Sequence, residues 1–232
     1  MTFPDPLTRG EKRKLSGLRR DLISWAERNG RAFPWRLSTA STYEKIVVEV
    51  LLQRTTATGV TRFYESFIDA FPDWETLAAA KPGDLEKFLQ PLGLWRRRAN
   101  SLLGLSRFAV SVAGEFPRGA AAHARIPAVG QYVSNAISMF QHGQPAPLLD
   151  VNMARVIERF IRPRRLADIR HDPWLQEAAH WLVRGETPER VNWAVLDFAA
   201  TTCKARTPLC SACPVKRRCA FYRASGRSPV TR

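Results

Sequence analysis

Three observations predict an all-α fold. Apolar residues recur at three- and four-residue spacing through most of the chain, strand-like alternation is absent, and Pro, Gly and Asp separate the periodic stretches. Leu15, Leu18, Leu22 and Trp25 mark a first helix that Gly30 ends, and Phe33-Pro34-Trp35-Arg36 reads as an extended linker. A second helix carries Tyr43, Ile46, Val47, Val50 and Leu51 on one stripe, and a third carries Phe63, Phe67 and Ile68 before Pro72. Shorter helices follow at Trp74 to Ala80 and Asp84 to Leu89, then a long one with Ala99, Leu102, Leu103, Ser106, Ala109 and Val110 in register. Ile126-Pro-Ala-Val-Gly130 is a hairpin between two helical segments. Asp150 opens a helix with Val151, Ala154, Val156 and Ile157, and Asn192 to Thr202 runs helically into the first cysteine. At 232 residues the chain can form one large domain or two small lobes.

Charge narrows the partner. Thirty-six Lys and Arg against 21 Asp and Glu give +15 on a chain of ordinary hydrophobic content (45%). The charge is clustered at Arg96-Arg97-Arg98, at Arg162 to Arg165, and at Lys204, Arg206, Lys216, Arg217 and Arg218, which favours a polyanion such as nucleic acid over a generally solvated surface. No apolar stretch is long enough for a bilayer span, and Met1 to Lys14 lacks the apolar core of a signal peptide, so a reducing, cytoplasmic setting is expected.

The four cysteines, Cys203, Cys210, Cys213 and Cys219, are separated by six, two and five residues. One short pair with longer spacers suits a cube-shaped iron–sulfur centre. A single zinc, which usually takes two short pairs, and disulfides are the alternatives.

Three constellations could carry chemistry. In the hairpin, Pro127 ends one helix and Gly130 turns the chain into the next, leaving helix N-terminal N–H groups for a phosphate. Asp150 is most simply an N-cap, and the same N–H groups and dipole favour the anion that would stabilise a cationic sugar. Glu49 lies within Val47-Val-Glu-Val-Leu-Leu52, either on the solvated face or buried; if buried it can serve as a general acid beside an anionic Asp150.

Glu49-Val-Leu-Leu-Gln53-Arg54-Thr55-Thr56, the hairpin through Gly130-Gln131-Tyr132, Asp150-Val-Asn152 and the cysteine segment together resemble the helix–hairpin–helix DNA glycosylases of the endonuclease III and MutY group, over roughly residues 33 to 222. The resemblance implies two helical lobes with a DNA-binding cleft: a six-helix barrel with the helix–hairpin–helix motif over 40–143, and a cluster-bearing lobe from 1–39 and 144–222, with 223–232 a loose basic tail. It implies a [4Fe-4S] cluster on Cys203, Cys210, Cys213 and Cys219. Members that also nick DNA carry a lysine where this sequence has Tyr132, so a monofunctional enzyme is expected, with Asp150, Glu49 and Tyr132 as the catalytic set.

The wording looks closest to the thymine–guanine mismatch glycosylases. Thymine or uracil opposite guanine is therefore the expected substrate, within base excision repair. Ending soon after Cys219, without the further domain usual in MutY-type enzymes, points the same way. Adenine opposite 8-oxoguanine or guanine, or another damaged base, is the alternative, and a catalytically silent DNA-binding module or a zinc-bearing adaptor the non-enzyme one. By residue match, Gln53 fills the gap left by an extruded base, Arg54 contacts its widowed partner and Leu94 is a second wedge. Gly130, Gln131, Arg96, Lys204 and Arg206 would contact DNA. Trp95 is better read as core. The expected partner is double-stranded DNA bound by a monomer, nucleoid-associated in a bacterium or archaeon. Ala128 stands at a usual hairpin glycine and Ser134 at a usual alanine; if the turn needs positive φ, Ala128 strains it.

Overall fold

A computed structural model describes residues 6–225; most of the tail expected over 223–232 lies outside the described residues. Among the described residues all regular structure is helical, and the chain divides into two compact units. Of the described residues, those up to 31 and from 145 onward form unit 1, and 32–144 form unit 2.

In unit 1, α1 (Arg9–Asn29) starts on a capping box: the Thr8 hydroxyl accepts from the Glu11 N–H while the Glu11 carboxylate accepts from Thr8 N–H. It ends at Gly30, where an added Cβ would lie 2.6 Å from the Ala26 carbonyl oxygen. Leu15, Leu18 and Leu22 are fully buried against Met153, Ile157 and Phe160 of α9 (Val151–Phe160), Leu175 and Leu182 of α10 (Pro173–Val183), and Val195 and Phe198 of α11 (Pro188–Thr201). Truncating any of these leucines to alanine removes about 2–5 kcal/mol. Helix α10 has no counterpart in the sequence-based expectation. Its start is well marked, with Pro173 in the first turn and buried Asp172 accepting N–H groups from Arg165, Leu166 and Leu175 at 2.8–2.9 Å. A last short helix, α12 (Ala220–Ala224), follows the cysteines.

Unit 2 contains α2 (Thr42–Leu51), α3 (Ala57–Ala70), α4 (Trp74–Ala79), α5 (Pro82–Leu89), α6 (Trp95–Ser111), α7 (Ala120–His123) and α8 (Gln131–Phe140). Helix α6 packs on α4 and α5, and α2 packs on α8, around a core that includes Ile46, Phe67, Leu85, Leu102 and Ile137. Residues 32–39, expected with the other lobe, group here because Trp35 is 2% exposed in this core and stacks on Phe33 at 4.8 Å. The expected extended linker is correspondingly a single 3-10 turn, Pro34–Arg36.

The hairpin differs from expectation in two ways. The preceding helix α7 ends at His123, so Pro127 lies in the turn itself. The left-handed residue is Ala128 (φ 62°), whereas Gly130 is extended (φ −88°, ψ 179°), a conformation open to any residue. Two contacts brace the turn. An added Cβ on Gly104 of α6 would meet the Pro127 side chain at 3.0 Å, so that glycine admits the hairpin. His123 Nε2 donates to the Pro117 carbonyl (2.6 Å), which leaves Nδ1 to accept from the Ser134 hydroxyl (2.8 Å). Burial, with the neighbouring His142, outweighs these bonds and lowers the His123 pKa, favouring that neutral form. The unusual Ser134 thus has a defined partner. Because an L side chain in the left-handed region costs on the order of 1 kcal/mol, Ala128→Gly should raise the melting temperature by about 2–4 °C. A lower melting temperature by calorimetry would show that the strain is absent.

Candidate active site

In unit 2 the sequence left Glu49 between a solvated and a buried position; it is 3% exposed, with Val47, Val48, Val50 and Leu51 buried around it. The contact of α2 with α8 brings Tyr132, one residue into its helix, to this carboxylate, and Tyr132 Oη donates to Glu49 Oε2 at 2.7 Å. An acid–hydroxyl pair therefore stands where Glu49 and Tyr132 were each expected to act. Gly130 caps α8 without a side chain, and Gly130 and Gln131 are both exposed at that helix start.

Gln53, Arg54 and Leu94 are exposed, on the α2–α3 and α5–α6 connections, and together with Arg98 they line one cavity. Arg96 is exposed, its guanidinium 4.3 Å from the Trp95 ring centre, and Trp95 itself packs partly into the core. Arg98 departs from the expected phosphate cluster: it is 3% exposed and donates to backbone and hydroxyl oxygens within unit 2. A run of three arginines at one helix start hid that difference, because helical rotation turns the third inward.

In unit 1, Asp150 is the N-cap of α9 and its Oδ1 accepts from the N–H groups of Asn152 and Met153, both at 2.9 Å. Its other oxygen accepts from the Asn152 side-chain amide. Asn152 Oδ1 in turn accepts from Arg155 Nη2 (3.1 Å), and Arg155 Nε donates to the Cys203 carbonyl (2.9 Å). Arg155 was not foreseen; its position one helical turn after Asn152 was the available signal. Arg159, one turn further, donates to the carbonyls of Lys204 (2.7 Å) and Ala205 (2.8 Å).

The four cysteines are half-buried, form no disulfide and line one pocket with apolar neighbours that include Leu18, Phe160, Phe198 and Val215. Among the described residues no three His, Cys, Asp or Glu side chains gather as one bound ion requires. Burial pushes the Cys213 thiol up to about 11, so thiolate ligation there would draw on the charge of a bound centre. Lys204 and Arg206 are exposed. Other basic residues expected on nucleic acid are tied down instead: Arg218 pairs with Asp21 of α1, Arg162 with Glu11 (2.9 Å) and Arg164 with Glu158 (2.6 Å). No helix among the described residues is long and apolar enough to cross a membrane.

Residues 47–169 match the HhH-GPD superfamily of base excision DNA repair proteins, and the chain belongs to that family. It is 33% identical over 217 residues to a thymine-DNA glycosylase of Aeropyrum pernix, covering 91% of this chain and 97% of that one. It is 29% identical over 221 residues to the adenine DNA glycosylase of Homo sapiens, covering 89% of this chain and 39% of that one. The solved structure of a thermostable thymine-DNA glycosylase superposes with a TM-score of 0.82 at 29% identity, over 91% of this chain and 98% of that one. The chain is accordingly a DNA glycosylase of base excision repair.

Proposed function

We propose that this glycosylase is monofunctional and excises thymine or uracil opposite guanine from double-stranded DNA, acting as a monomer. The observation that carries the reading is the Tyr132–Glu49 pair: a hydroxyl, which cannot form a Schiff base, engages the buried acid. In the proposed reaction the target base leaves the helix stack, and Glu49 gives a proton or hydrogen bond to the departing base while Tyr132 fixes its carboxyl. The bond from C1′ to the base nitrogen breaks with its electron pair going to the base. Asp150 stabilises the cationic sugar, water adds at C1′ and loses a proton, and the products are free base and an abasic site. Gln53, Arg54 and Leu94 occupy and read the gap. Gly130, Gln131, Arg96, Lys204 and Arg206 hold phosphates.

The same reading assigns a [4Fe-4S] cluster to Cys203, Cys210, Cys213 and Cys219. Four thiols line one pocket, and their six-, two- and five-residue spacing suits a polynuclear centre whose ligands take separate corners. When bound, such a centre would supply structural cross-linking beneath the segment that carries Lys204 and Arg206.

Thymine and uracil are favoured by relatives named for them, including a thymine/uracil-DNA glycosylase of Pyrobaculum aerophilum at 34% identity. The likeness to adenine glycosylases supports a second reading, adenine opposite 8-oxoguanine or guanine. Incubation with duplexes bearing T·G, U·G, A·G and A opposite 8-oxoguanine, followed by alkali, separates them. Abasic sites are expected from the first two, with no strand break before alkali. Cleavage of the adenine duplexes alone would establish the second reading, and breaks before alkali would overturn the monofunctional assignment.

A further inference from the structure

Arg98 is the only arginine buried among the described residues. Its Nη1 donates to the carbonyls of Leu92 (2.6 Å) and Gly93, and its Nη2 to the carbonyl of Gln53 (2.6 Å) and the Thr55 hydroxyl. All four acceptors are neutral oxygens, and Nε is buried without a hydrogen-bond partner. A guanidinium buried in this way carries a desolvation cost that these bonds offset only in part.

What it fastens is specific. Gln53 and Thr55 belong to the α2–α3 connection, and Leu92 and Gly93 to the α5–α6 connection. Each connection contains one non-glycine residue in the left-handed region, Arg54 (φ 57°) and Leu94 (φ 50°), and each of these immediately follows a residue whose carbonyl Arg98 holds. Left-handed backbone at an arginine and a leucine is unfavourable locally and persists where surrounding bonds over-determine it. The outcome is that Gln53, Arg54 and Leu94 stand exposed around one cavity, Leu94 being 49% exposed despite its apolar side chain.

We propose that Arg98 is a positioning residue for base extrusion, locking the Gln53–Arg54 and Leu94 projections into one preformed two-pronged wedge. This rests on the DNA glycosylase reading above. Separately mobile prongs would each have to be ordered as the duplex opened, and a clamp set before DNA arrives removes that cost from the step. Lysine cannot replace it, because a compact ammonium cannot span four acceptors on two connections.

The test uses a duplex with a tetrahydrofuran abasic-site analogue opposite guanine and 2-aminopurine beside the analogue, whose fluorescence rises when it unstacks. The full chain should bind this duplex and raise the fluorescence. Arg98→Met should bind within roughly 3-fold, since phosphate contacts dominate affinity, yet lose most of the fluorescence rise. Its single-turnover excision, on whichever mismatch duplex the unaltered chain cleaves, should fall about 10²-fold, with Arg98→Lys intermediate. Adding Leu94→Ala to Arg98→Met should cause little further loss, because that prong is already released, and adding it to Arg98→Lys should cost less than it does in the unaltered chain. A full fluorescence rise in Arg98→Met, or strictly additive losses in the double variants, overturns the proposal. If Arg98→Met does not fold, Arg98→Lys with and without Leu94→Ala decides. No binding by the unaltered chain would instead refute the DNA reading, and the proposal with it.

Discussion

Asp150→Asn should lower single-turnover excision by about 10³-fold or more while leaving DNA binding nearly intact. Asparagine is as good an N-cap as aspartate, so the N–H groups of Asn152 and Met153 keep an acceptor and α9 keeps its start. The second oxygen becomes an amide nitrogen facing the Asn152 amide, a donor against a donor. Asn152 cannot simply flip, because its Oδ1 accepts from Arg155. That conflict costs on the order of 1–3 kcal/mol, a lowering of the melting temperature by several degrees in a chain whose stability is on the order of 5–15 kcal/mol. The protein stays folded, whereas a 10³-fold rate loss corresponds to about 4 kcal/mol in the transition state and comes from the missing negative charge. The measurement is the excision rate with enzyme in excess, set beside affinity for an abasic-analogue duplex. Retention of more than about a tenth of the rate would remove Asp150 from the mechanism.

The sequence made the helical framework plain where one face is apolar and the other polar, as in α1 and α2. Helix α10 was legible but not read: Trp174, Leu175, Ala178, Ala179, Leu182 and Val183 recur at four-residue spacing as one buried stripe, with Gln176, Glu177 and His180 on the other face. Glu49 could not be placed from its neighbours, since a carboxyl amid valines reads equally as a solvated edge or a buried acid. Its partner, Tyr132, lies 83 residues away. The same limit explains the arginines. Local clustering suggested phosphate contacts for Arg98, Arg162, Arg164 and Arg218, but their acceptors include Glu11 and Asp21, which only the packing of unit 1 brings within reach. What remains exposed for DNA is a smaller set than the net charge suggests. Ala128 is the opposite case: the sequence raised strain there only on the condition of a positive φ, which the hairpin meets, while the glycine expected to make the turn is conformationally ordinary.

Cys213→Ser should give a colourless chain that melts about 10 °C or more below the unaltered one, which should itself be yellow-brown and contain roughly four irons. Residues 203–219 have little regular structure of their own: two 3-10 turns, Cys210–Ala212 and Lys216–Arg218, and the bond from Leu209 N–H to the Thr202 carbonyl. They are secured from outside. Arg155 and Arg159 hold the carbonyls of Cys203, Lys204 and Ala205, Arg218 is tied to Asp21, and Val215 is 3% exposed in the core of unit 1. Half-buried thiols contribute too little apolar area to order such a segment, so a bound centre joining all four would supply most of its cohesion. Because Arg155 touches both this segment and Asn152, loosening the segment also frees the side chain that orients Asp150. Excision by Cys213→Ser should therefore fall further than its melting temperature alone explains, at a temperature where circular dichroism shows it still helical. One zinc per unaltered chain, or a serine variant equal to the unaltered chain in colour, melting and rate, would refute the cluster assignment.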